Sequence, residues 1–106
     1  MTIDTTALET LVEYCFAQAR NTTLPSNQQD SFLNLGQHLR NDEMNALASR
    51  FDDFDDRVTA LNTQLSALAT EVANEAATEA SYAAAIAKIT QAVNVLDKIL
   101  AIAAKI

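Results

Sequence analysis

Glu71-Val72-Ala73-Asn74-Glu75-Ala76-Ala77-Thr78-Glu79-Ala80-Ser81-Tyr82 is the stretch on which the fold of this chain turns. On its N-terminal side Leu47, Phe51, Phe54, Val58, Leu61, Leu65, Leu68 and Val72 recur in alternating steps of four and three. That is a heptad seam, with Phe51, Val58, Leu65 and Val72 at a and the rest at d. On its C-terminal side the register resumes at Ile86, Ile89, Val93, Leu96, Leu100 and Ala103. Between the two runs, the core slots hold Glu75, Glu79 and Tyr82. Two carboxylates at successive core positions are costly to bury without partners. The stretch therefore reads either as the turn of a helical hairpin or as a solvated interruption in one long helix.

Length favours the hairpin. An arm over 43–73 is roughly 46 Å long and one over 79–106 roughly 42 Å, at about 1.5 Å per residue. The sequence also predicts two shorter helices upstream, which together supply about one more arm. Over 6–20, Thr6 and Glu9 form a capping-box pattern ahead of Leu8, Leu11, Val12, Cys15, Phe16 and Ala19. Leu24-Pro25 ends that element, because proline disfavours helix in the residue before it. Over 27–40, Ser26 and Gln29 repeat the capping pattern ahead of Phe32, Leu33, Leu35 and Leu39. Gly36 weakens this helix by about 1 kcal/mol relative to alanine. Near Asp42 the apolar phase shifts, which fits either a new cap or a kink. The expected fold is one all-α domain over 1–106, a long antiparallel heptad-patterned hairpin covered by two shorter helices. The alternative is a continuous helix in an oligomeric coiled coil.

Composition agrees. The chain has 106 residues, of which 49% are apolar and 20% charged, with one glycine and one proline. So few turn-formers exclude sandwiches, barrels, glycine-rich phosphate loops and dinucleotide folds. The net charge of -7 opposes nucleic acid and anionic membranes alike. It is unevenly spread: residues 42–80 carry -7, residues 1–41 carry -2 and residues 81–106 carry +2. Opposite signs on the two arms favour their pairing. Met1–Thr6 does not resemble a secretory signal and the longest apolar run, Ile99–Ala104, is far too short to span a membrane. The expected setting is cytoplasmic.

The motifs that could carry chemistry are weak. Cys15 falls on the apolar face of the first helix and reads as a buried structural thiol; alone, it makes neither a disulfide nor a cysteine-based zinc site. His38 sits beside Leu39 on a polar-flanked stretch and reads as an exposed helix residue; Leu35 and Asn41, three positions away, are not carboxylates, so it forms no Glu-x-x-His pair. Glu71, Glu75 and Glu79 lack the Glu-x-x-His pairs of a carboxylate-bridged di-iron bundle. Asp52, Asp53, Asp55 and Asp56 fail as a calcium loop, because the sixth and twelfth places from Asp53 hold Val58 and Gln64. They read as a solvated charged face that could dock a basic partner. No hydrolase triad, zincin motif or phosphate cradle is present. No catalytic residue, metal, cofactor or small-molecule ligand is indicated.

A second apolar stripe, Val95, Ile99, Ile102 and Ile106, extended backwards by Ala85 and Ala92, runs beside the main seam. A helix with two such stripes must bury both, against the first two helices or against another protomer. The function expected is a non-enzymatic structural or protein-interaction module that self-associates or docks a partner protein. Val95, Ile99, Ile102, Ile106 and the four aspartates are its candidate contact residues. The alternative is a membrane-active protein that uses the amphipathic segment 86–106.

Overall fold

A computed structural model describes residues 2–51, 55–74 and 79–103. Four helices follow in order: α1 (Thr5–Ala19), α2 (Ser26–Ala48), α3 (Asp56–Asn74) and α4 (Glu79–Ala103). The all-α bundle that the heptads and the scarcity of turn-formers imply is the fold observed, and the described residues contain no strand. The molecule measures 44 × 21 × 18 Å with a radius of gyration of 13.9 Å, near the roughly 13 Å of a compact chain of this length.

The helices form two stacked pairs. α1 runs antiparallel to α2: Phe16 lies against Gly36, while Glu9 is felt at Glu43 one helix-length away in the opposite sense. α3 packs on α4, and Lys88 bonds to Glu71 across the pair. In one continuous helix these two residues, 17 positions apart, would stand roughly 25 Å from each other. The chain therefore folds back between Asn74 and Glu79. The turn itself (75–78) lies outside the described residues, and with it the expectation for Glu75.

α1 contacts α2 and α3, and α4 contacts the same two, so α1 faces α4 and α2 faces α3 across the diagonals. α2 and α4 run parallel, since Phe32 meets Tyr82 and His38 meets Asp97 further along both helices. The link over 49–55 carries the chain from one pair to the other.

Several boundaries differ from the sequence expectation. α2 does not end at 40 but continues to Ala48, with Asp42 inside it. The first arm of the long hairpin accordingly begins at Asp56 rather than 43, and the non-helical residues 49–51 and 55 also exclude an uninterrupted helix over 43–106. The reason is visible at the old boundary. Leu39, Asp42 and Ala46 are all buried on one face of α2, so the apparent phase shift was a polar residue in a core position. Leu47, assigned to the seam, points outward instead, 61% exposed. From Val58 the heptad holds: Val58, Leu61, Leu65, Leu68 and Val72 are buried, as are Ile89, Val93, Leu96 and Leu100, with Ile86 packed partly against them.

Caps differ too. Asp4, not Thr6, caps α1, its carboxylate accepting from the Ala7 amide at 3.1 Å. At α2 the cap position is Pro25, without a side-chain bond, while Gln29 donates to the Asn21 carbonyl across the preceding loop. Asn62 of α3 ties down the N-terminal segment, accepting from the Asp4 amide at 2.7 Å and donating to the Thr2 carbonyl at 3.0 Å. An aromatic chain links three helices, with Phe32 edge-on to both Tyr14 and Tyr82.

Candidate functional site

Asp42 is the only charged residue buried among the described residues, 5% exposed. It is there because α2 keeps its helical phase from Leu39 to Ala46, which turns position 42 toward α4. His38 precedes it by one turn on the same face. From α4, Asp97 meets both. His38 Nε2 lies 2.8 Å and 3.0 Å from the two carboxylate oxygens of Asp97, and 3.4 Å from Asp42 Oδ2. Asp42 Oδ2 accepts from no nitrogen or hydroxyl donor and is shut off from water. One nitrogen and two carboxylate oxygens, one from each of the three residues, thus lie within 4.8 Å of one another.

The electrostatics follow from this crowding. Burial, then a carboxyl–carboxyl hydrogen bond with Asp97 and the charge of that neighbour, push the Asp42 carboxyl up to about 7, with His38 opposing them. The bond to Asp97 raises the His38 imidazole above its ordinary value; partial desolvation opposes and Asp42 adds to the rise. A proton shared among these groups is the neutralising charge that the cluster holds by itself. Chemically, the site can bind a proton or a cation at the seam between α2 and α4, with His38 half-exposed on its solvent side.

A second feature lies on the outer side of the α1–α2 pair. Met44 is 66% exposed and Leu47 61%. Beside them Glu43 is partly buried, and it is raised from its usual value by desolvation and by Glu9 and Glu13 of α1, with Arg40 opposing. The Arg40 guanidinium sits over the Phe16 ring at 5.4 Å. Glu43 thus adjoins two exposed apolar side chains in sequence and lies within electrostatic reach of two α1 carboxylates.

The residues singled out from sequence are placed as follows. Ile99 is buried in the core with Ala85 and Ala92, whereas Val95 and Ile102 are each 38% exposed. The second stripe is thus divided, with Ile99 and the two alanines inside and Val95 and Ile102 at the surface. Ile106, Asp52 and Asp53 lie outside the described residues. Asp56 is exposed in the first turn of α3. Asp55 starts that helix: its carbonyl accepts from the Val58 and Thr59 amides, and its carboxylate accepts from the Arg57 amide and guanidinium. Cys15 is fully buried, and burial pushes its thiol up to about 12.

Sequence reasoning missed the His38–Asp42–Asp97 cluster. The legible signal was a carboxylate four residues after the histidine, where only the three-residue spacing had been weighed. Asp97 gave no signal, because it reaches His38 only through the parallel packing of α2 on α4. A shallow depression on α3, lined by Asn62, Thr63, Ser66, Ala67 and Thr70, carries no charged group. Comparison of the chain with protein-family models, with curated proteins and with solved structures gives no match.

Proposed function

We propose that this protein is a non-enzymatic interaction module that docks a basic, amphipathic helical segment of a partner protein on the outer face of α1 and α2. The observation that carries the reading is the pair Met44 and Leu47, exposed one turn apart on α2 next to Glu43, which itself feels the charges of Glu9 and Glu13 on α1. An apolar helical face set beside same-sign charge fits a partner helix that presents leucine-like and lysine-like residues together. A second copy of this chain fits less well, because two molecules of net charge -7 repel.

The membrane reading draws no support from α4. Its Ile89, Ala92, Val93, Leu96, Ile99 and Leu100 are already buried in the bundle. No helix is long and apolar enough to cross a membrane among the described residues.

The test is calorimetric titration with an amphipathic leucine–lysine peptide of about five helical turns, against its leucine–glutamate counterpart. The basic peptide should bind. Met44→Ser with Leu47→Ser should weaken it, and Glu9→Gln with Glu13→Gln should flatten its salt dependence. Equal binding to wild type and to the serine pair would defeat the reading. So would a homodimer that the serine pair converts to monomer.

A further inference from the structure

We infer that His38, Asp42 and Asp97 form a binding site for one divalent transition-metal ion of the zinc class, clipping α2 to α4. The inference is independent of the docking face.

The donor set is one imidazole nitrogen and two carboxylates, which suits zinc and its neighbours in the first transition row. Calcium and magnesium favour all-oxygen sites with more ligands than this cluster can offer. Spacing fits as well. A tetrahedral ion with bonds of about 2.1 Å holds its ligand atoms roughly 3.4 Å apart. His38 Nε2 stands 2.8 Å from Asp97 Oδ2 and 3.4 Å from Asp42 Oδ2, so modest side-chain rotation opens a place for the ion.

The second line of argument is Asp42 itself. A carboxylate oxygen this deeply buried normally has a hydrogen-bond donor; Asp42 Oδ2 has no nitrogen or hydroxyl donor, and Asp42 is left to share a proton with the adjoining Asp97 carboxyl. It faces the His38 imidazole, which already bonds the other carboxylate. A cation placed there satisfies that oxygen and replaces the proton between His38 and Asp97, offsetting two negative charges at once. His38 and Asp97 are each more than a third exposed, which leaves an entry path and room for water to complete the coordination shell. Two ligands come from one turn of α2 and the third from α4, so the ion would bind the folded bundle and not the unfolded chain.

His38 is the one histidine of the chain, so its ring resonances report the site without ambiguity. Full-length, tag-free protein titrated with zinc near neutral pH should take up one equivalent, shift the His38 ring signals, and melt at a higher temperature. Calcium at the same concentration should do none of these. His38→Gln and Asp97→Asn should each weaken zinc binding roughly tenfold or more, as loss of a ligand should exceed the ten- to hundredfold typical of outer-shell partners. Both replace half-exposed side chains, so circular dichroism of the apo variants should stay that of wild type. Asp42→Asn should remove the zinc-dependent rise in melting temperature. The inference is overturned if zinc leaves the His38 signals unmoved, or if it binds His38→Gln with wild-type affinity, which would place the ion on the acidic surface instead.

Discussion

Gly36 shows at the scale of one residue how packing can override local preference. Alanine there should gain about 1 kcal/mol of helix propensity. A Cβ at this position, however, would stand 3.1 Å from Phe16 Cε1 and 3.2 Å from Cys15 Cβ. The cysteine Cβ is fixed to the backbone of α1, so the two helices must separate to make room. Overpacking of this kind costs about 1–3 kcal/mol. Gly36→Ala should therefore lower stability by about 1 kcal/mol net in urea denaturation; a gain would mean that α1 yields freely. Cys15 is shielded by the same contact. With its thiol at about 12 and no exposure, it should resist alkylation at neutral pH and react fully only in denaturant. Its burial was legible from the spacing of Leu8, Leu11, Val12 and Cys15 alone. The close approach of Gly36 was not, since it depends on which residue of α1 stands opposite.

At the scale of elements, helix interiors were legible and helix ends were not. Apolar periodicity marks the middle of a helix, but a cap depends on one side chain reaching one amide. Asp4 does this for α1, and Asp4→Ala should cost about 1 kcal/mol, measurable as a lower denaturation midpoint. Asp55 does it for α3. The bond from Arg57 holds the Asp55 carboxyl below its usual value, so the charged form is favoured in the folded state. Its contribution should be complete above about pH 4, the unfolded range, and lost as pH falls through the depressed folded value. Hydrogen-exchange protection of the Arg57 amide should follow that course; constant protection down to the lowest pH would show that the carboxylate does not hold it. The end of α2 was missed for another reason. Asp42 looked like a boundary because a carboxylate in a core position breaks the apolar pattern, yet Leu39 and Ala46 show that the helix runs on through it.

At the scale of the molecule, the heptad seam enters the core fully from Val58 onward, with Phe51 packed partly against it and Leu47 outside it. Leu65 is fully buried and Leu47 mostly exposed, although both occupy regular seam positions in the sequence. Leu65→Ala should therefore cost about 2–5 kcal/mol, and Leu47→Ala less than about 0.5 kcal/mol, both read by equilibrium denaturation. Similar losses at the two sites would mean that Leu47 is covered in solution, by a second copy of the chain. By itself, the sequence determined that this is a helical protein and where α3 and α4 carry their buried faces; that the chain reverses between them it favoured by length, and the Lys88–Glu71 bond decided. The first two properties follow from periodicity and charge, which are local. Only the tertiary structure decided that α2 lies parallel to α4, that Leu47 faces out, and that His38 and Asp42 meet Asp97. Each of these depends on which helices become neighbours and in what rotation. No spacing along one helix encodes that arrangement.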